Sequence, residues 1–227
     1  MRIEVLADDE LVAREAAARI AAASRSAVLA RRRFVVAFSG GRTPWRMLRA
    51  LADEALPWEA VHVVQVDERV APAGHADRNL THLRDSLARA PLRPEQIHPM
   101  QVEASDLATA AAQYALMLRQ IAGSPAVLDL VHLGLGPDGH TASLVPGDPV
   151  LEVTEADVAL TGEYQGRRRM TLTYPMLNRA RRVLWLVTGR DKAAPLVKLR
   201  NRDASIPAGR VRQDRALILA DRAAALA

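Results

Sequence analysis

Residues 34–48 read FVVAFSGGRTPWRML. An unbroken apolar run, Phe34–Phe38, gives way to Ser39-Gly40-Gly41 and then to apolar residues at helical spacing. An apolar run without alternation suits a strand buried on both faces, and such strands belong to parallel sheets covered by helices. The glycines let backbone approach an anion closely. The helix start beyond them offers free N–H groups and the positive end of its dipole. Thr43-Pro44 fits an N-cap followed by a first helical residue. The G-x-x-x-x-G-K-[ST] spacing of a Walker loop is missing. The junction is therefore either an anion-binding turn, with Ser39, Gly40, Gly41, Arg42 and Thr43 as its ligating groups, or an ordinary strand–helix turn.

The same pattern recurs along the chain. Val61–Val66, Leu128–Leu133, Val183–Val187 and Ala216–Leu219 read as further buried strands. Residues 9–30, Pro44–Glu54, Asn79–Ala88, Ser105–Ile121 and Asp191–Arg200 read as helices between them. This alternation predicts an α/β fold of three layers: a mostly parallel, Rossmann-like sheet with helices on both faces. Residues 154–174, TEADVALTGEYQGRRRMTLTY, break the pattern. They predict two short strands around a Gly-containing turn, a small antiparallel excursion beside the main sheet. No linker or repeat divides residues 1–227, so one α/β domain is expected.

Composition narrows the function. The chain has 227 residues, 49% of them hydrophobic, which suits a sizeable core and argues against disorder. It has no cysteine, which excludes disulfides and thiolate chemistry and fits a reducing cytosol. MRIEVLADDE has no secretory pattern, and no window holds the roughly 18 apolar residues of a membrane span. A cytoplasmic protein with no membrane partner is expected. The net charge is +5, but the arginines are dispersed among acids, short basic knots at 31–33, 167–169 and 181–182 aside, and aromatics are only 4%. That argues for an anionic small molecule rather than nucleic acid as the partner. A monomer is the expectation at this size.

Ligands of open α/β sheets bind beyond the carboxyl ends of the strands. Three further loops lie there. VDERVAPAGHADRNL (66–80) places Asp67 and Arg69 at a strand's end. Arg69 suits an oxyanion or phosphate, and Asp67 suits either orienting a histidine or accepting a proton. GLGPDGHTASL (134–144) brings His140, whose intrinsic pKa fits proton transfer near neutrality, with Asp138 and Gly139 beside it. Thr141 and Ser143 fit caps of a turn or helix. LVTGRDKAAPL (186–196) is another strand–Gly–helix junction, and its Lys192 is one of the chain's two lysines, with Lys198. Arg169, before the TLT run, is a further candidate anion contact. His62 and His132 fall inside strands, His82 on a helix and His98 beside a proline. No metal-ligand spacing occurs, and neither a metal nor a cofactor is expected.

Together SGGRTP, VDERVAPAGHADRN, GLGPDGHTASLVPG and VTGRDK resemble, in order, the loops of the 6-phosphogluconolactonase family. TLTYPMLNRARRV and PAGRVR extend the resemblance over about residues 34–212. The chain departs from the family's usual Ser at Arg42 and at Arg78. The resemblance implies hydrolysis of 6-phospho-D-glucono-1,5-lactone to 6-phosphogluconate in the pentose phosphate pathway. It implies His140 as the base acting on water, with Asp67 the alternative, and Arg69 as oxyanion or substrate contact. Ser39, Gly40, Gly41, Thr43 and Lys192 would grip the phosphate, with Arg42, Asp138, Gly139 and Arg169 as further substrate contacts. The alternatives are a glucosamine-6-phosphate deaminase/isomerase, or a non-catalytic sugar-phosphate-binding domain. The DER and HTASL segments favour the lactonase over the DEY and GHIAFNEP forms of deaminases.

Overall fold

The buried runs become strands because they are apolar on both sides. In the computed structural model, which describes residues 1–225, Phe34, Val36 and Phe38 pack into one core and Val35 and Ala37 into another. The elements run β1 (Arg2–Leu6), α1 (Asp9–Arg31), β2 (Phe34–Phe38), α2 (Arg42–Ala52), β3 (Val61–Gln65), β4 (Asp67–Arg69), α3 (Asn79–Ser86), β5 (Ile97–His98) and α4 (Leu107–Ala122). They continue with β6 (Leu130–Gly134), β7 (Val158–Leu160), β8 (Arg169–Leu172), α5 (Tyr174–Arg179), β9 (Val183–Val187), α6 (Ala193–Arg200), β10 (Ala216–Asp221) and α7 (Arg222–Ala225).

Seven strands form one sheet in the order β1-β10-β9-β6-β2-β3-β5. Every pairing in it is parallel. The helices α1, α2 and α3 contribute buried residues to the core on one face, and α4, α5 and α6 to the core on the other. Beside this sheet, β4, β8 and β7 make a three-stranded antiparallel sheet. The excursion expected near 154–174 is thus present, with the DER segment as its third strand rather than a loop. The edge strand β1 escapes the pattern reading because its burial is low and irregular, and it is held by pairing along β10.

Two local expectations need correction. Gly41, not Thr43, is the N-cap of α2, and Thr43 and Pro44 lie inside the first turn. Thr43 Oγ1 is instead 2.7 Å from Thr188 Oγ1, so a tertiary hydrogen bond replaces the local cap. Thr141 and Ser143 cap no helix. Thr141 Oγ1 donates to the Gly134 carbonyl (2.8 Å), and Ser143 Oγ donates to Asp67 (2.6 Å).

From β2 the sheet grows one way through β3 to β5, and from β6 the other way through β9, β10 and β1. The pair β2–β6 is therefore the topological switch point, where connections diverge and leave a crevice at the strands' carboxyl ends. The 38–44 and 134–144 loops leave from these two strands.

Candidate active site

A cleft of about 400 Å³ opens at that switch point. Its floor is bridged at Ser39, whose N–H donates to His132 Nδ1 (3.3 Å) and whose hydroxyl donates to the His132 carbonyl (3.1 Å). His132 is fully buried, and burial pushes it down to about 3. It is a neutral imidazole acting as a structural acceptor, with no protein partner at Nε2 among the described residues.

One half of the cleft is built mainly from backbone. Ser39, Gly40, Gly41, Arg42 and Thr43 line it from the start of α2, and Thr188, Gly189 and Lys192 line it from the loop after β9. Gly40 is needed for space, since a Cβ there would lie 2.0 Å from Asn79 Oδ1. Gly41 (φ 135°) and Gly189 (φ 98°) have backbone angles that side chains disfavour. Asp221, buried at the end of β10, accepts the Gly189 N–H at 3.0 Å and orients that loop. The Thr43–Thr188 hydrogen bond ties the two loops together. Lys192 lies in a 3-10 turn (Arg190–Lys192) just before α6, with its ammonium 3.0 Å from Asp191. Arg42 is exposed on the cleft rim, and Arg46 one turn later pairs with Asp9.

The other half is built from side chains. Asp67 and Arg69 alternate on β4, so they share one face of the small sheet. Register places Asp67 opposite Thr171 and Arg69 opposite Arg169. Like charges directly opposed destabilise a sheet, so this arginine pair is costly unless it meets an anion. Arg169 is buried, with Nη1 3.5 Å from Ser143 Oγ, and its Nε has no partner among the described residues. Burial lowers its pKa and the Asp67 charge opposes this. Burial pushes the Asp67 carboxyl up, against the Ser143 hydrogen bond and the Arg69 and Arg169 charges. Asp67 Oδ2 accepts from Ser143, and the Asn79 amide donates to the Asp67 carbonyl (3.0 Å). Glu68, between them, points away: it accepts the Asn79 and Leu80 N–H groups at the start of α3 and pairs with buried Arg78. Arg78, a departure from the resembled pattern, is therefore part of the scaffold.

His140 stands on the 134–144 loop and lines the cleft. Its Nδ1 lies 2.6 Å from Asp138 Oδ1, which also accepts the His140 N–H (3.1 Å). Burial acts to raise Asp138, but the His140 charge and the hydrogen bonds from His140 and Tyr164 outweigh it and hold the carboxyl below its ordinary range. An ionised Asp138 fixes the proton on Nδ1, leaving Nε2 as the free base. Asp138 and Gly139 are not on the cleft wall. Asp138 stands behind the imidazole, and Gly139 (φ 84°) anchors the loop by accepting from the Ala208 N–H at 3.0 Å.

The fold thus brings Ser39, Gly40, Gly41, Arg42, Thr43, Asp67, Arg69, His140, Arg169 and Lys192 to one cleft. Sequence reasoning flagged the 186–196 junction but singled out only Lys192 in it, not Thr188 or Gly189, and it passed over Asp221 and Arg46. The rule that strand carboxyl ends carry ligands, applied to β10 as well, would have flagged Asp221. Arg46 shows only as one helical turn from Arg42. The family model described as glucosamine-6-phosphate isomerases/6-phosphogluconolactonase matches residues 7–219.

The chain belongs to the glucosamine-6-phosphate isomerase/6-phosphogluconolactonase family. Within this family it is similar to a 6-phosphogluconolactonase of Mycobacterium tuberculosis, 37% identical over 98% of this chain and 96% of the relative. It is also similar to the crystal structure of 6-phosphogluconolactonase from Thermotoga maritima, with a TM-score of 0.86, 26% identity, and 97% of this chain and 98% of that one covered. A monomeric glucosamine-6-phosphate deaminase shares the fold at a TM-score of 0.85 and 20% identity, covering 100% of this chain and 99% of that one. The family's fold therefore serves more than one reaction, and the choice between them rests on the cleft's side chains.

Proposed function

We infer that this cleft hydrolyses 6-phospho-D-glucono-1,5-lactone to 6-phosphogluconate, the step of the pentose phosphate pathway that the relatives' name denotes. The observation that carries the reading is the Asp138–His140 pair beside a double-arginine anion site, across the cleft from glycine-rich loops that suit a phosphate. Lactone hydrolysis needs an activated water, a place for negative charge and a fixed substrate, and each has a group here.

The Ser39–Thr43 turn, the Thr188–Gly189 turn and Lys192 hold the phosphate, far from the reacting carbon. Binding there supplies positioning for chemistry elsewhere. His140 Nε2 takes a proton from water as its oxygen adds to C1. The carbonyl oxygen becomes an oxyanion, stabilised by Arg69 and Arg169. As the tetrahedral intermediate collapses, the C1–O5 bond breaks and the imidazolium returns its proton to the departing ring oxygen. C1 is left as a carboxylic acid, which releases its remaining proton to solvent, and the same arginines accommodate the resulting carboxylate. Asp67 acts on the arginines through Ser143 and its own charge, while Asp138 is the carboxylate that holds His140. The enzyme works as a cytoplasmic monomer, with no metal or cofactor in the scheme.

The test generates the lactone in situ and follows its loss with wild-type protein and with His140→Ala, alongside a glucosamine 6-phosphate deamination assay. Accelerated lactone loss that His140→Ala abolishes is expected. Lactone decay at the spontaneous rate with wild-type protein, or deamination as the faster reaction, overturns the reading.

A further inference from the structure

The turn Tyr164–Arg167 closes the hairpin between β7 and β8. The Tyr164 N–H donates to the Arg167 carbonyl (3.0 Å), and Gln165 (φ 52°) and Gly166 (φ 72°) both take positive φ. Two adjacent residues of this kind make the tight turn that matches strand twist, so the tip is defined rather than floppy. Three contacts leave Tyr164 toward the site. Its hydroxyl donates to Asp138 Oδ2 at 3.1 Å. Its ring meets the His140 ring edge-on, with centroids 5.6 Å apart. The Arg169 guanidinium lies over its face, 4.9 Å from the centroid. Gln165 adds a fourth tie by accepting from Arg169 Nη2 at 3.3 Å. Tyr164 is not among the residues that line the cleft, but it touches two that are, His140 and Arg169.

We propose that Tyr164 is a positioning residue that couples the two working parts of the site, its hydroxyl fixing the Asp138–His140 pair and its ring holding Arg169. The inference rests on the reading of His140 as the base. Asp138 has one oxygen for each neighbour: Oδ1 accepts the backbone N–H of His140 and pairs with its Nδ1, and Oδ2 accepts from the phenol. Burial and the Asp138 hydrogen bond both raise the Tyr164 phenol, so it stays protonated as the donor. A donor on Oδ2 draws charge from the carboxylate and so weakens its hold on an imidazolium. Tyr164 thereby keeps His140 ready to give its proton back. The charged groups that share the cleft with the imidazole, Arg169 on β8 and Asp67 and Arg69 on β4 among them, all stay in place in Tyr164→Phe.

The experiment titrates His140 by NMR, assigned by comparison with His140→Ala, in wild type, Tyr164→Phe and Tyr164→Ala. Tyr164→Phe keeps the ring and the turn and removes only the hydroxyl. It is expected to raise the His140 pKa by about half a unit, and to move the acid limb of kcat/KM for the lactone by the same amount. Tyr164→Ala is expected to add a roughly threefold to tenfold rise in KM through the loosened Arg169. An unchanged His140 titration in Tyr164→Phe overturns the proposal. The titration needs no substrate, so wild-type protein inactive on the lactone would strike the functional reading and not this one.

Discussion

The two halves of the cleft solve one problem, holding negative charge, by different means. The 39–43 and 188–192 side offers backbone N–H groups, two helical starts and one lysine near the surface. The β4–β8 side offers two arginines in direct register, Arg69 and Arg169, over a buried Asp67. A backbone site costs little when empty, because water satisfies the same N–H groups. A register-matched arginine pair beside a buried carboxylate is poor for stability, and a sheet keeps it only where the charge has work to do. The first half is therefore a grip, and the second is where charge changes during the reaction.

Substitutions can break this division. The largest effect is expected at His140→Ala, which should lower kcat roughly a thousandfold with little change in KM, measured as lactone loss above the spontaneous rate. Next is Lys192→Ala, which should cost on the order of a hundredfold in kcat/KM, mainly through KM, since it removes a charged contact from the grip. If Lys192→Ala instead lowers kcat alone, the grip and chemistry are not separate. Gly40→Ala tests the seam between the halves. Its Cβ would collide with Asn79, whose amide holds β4, and should destabilise the fold by roughly 2 kcal/mol in denaturant unfolding.

The smallest effect concerns His132, below the grip. Its folded pKa lies near 3, while in the unfolded chain it returns to its ordinary 6.5. As pH falls below 6.5 the unfolded state takes up a proton that the folded state refuses, so stability is lost toward acid. Between pH 8 and 5.5 this amounts to about 1.4 kcal/mol. His132→Gln should remove that part of the pH dependence, read from denaturant midpoints at the two pH values. Identical pH profiles for both proteins would show that the buried imidazole is not the titrating group.

The grip was legible in the sequence because it is written in local features: an apolar run, then glycines, then a helix. The β2 and β9 junctions announce themselves this way, and Ser39 to Thr43 and Lys192 follow from them; the β6 junction has the apolar run and the glycines without the helix, and His140 follows from it. The other half depends on long-range register. Nothing near residue 69 says that Arg169 will lie opposite it, and the strand that brings them together is three residues long. Tyr164 was invisible for the same reason: its partners, Asp138 and Arg169, meet only once the hairpin folds over the loop. Thr43 misled because a good local cap lost to a tertiary hydrogen bond with Thr188.

The most direct measurement compares 6-phosphogluconolactone with the unphosphorylated gluconolactone in wild type, Lys192→Ala and His140→Ala. The wild type should strongly prefer the phosphorylated lactone. That preference should shrink markedly in Lys192→Ala, while His140→Ala should lower the residual rate on both lactones and leave the ratio unchanged. Equal turnover of the two lactones by the wild type, or a preference that survives Lys192→Ala intact and collapses in His140→Ala, would contradict a cleft divided into a phosphate grip and a separate hydrolytic half.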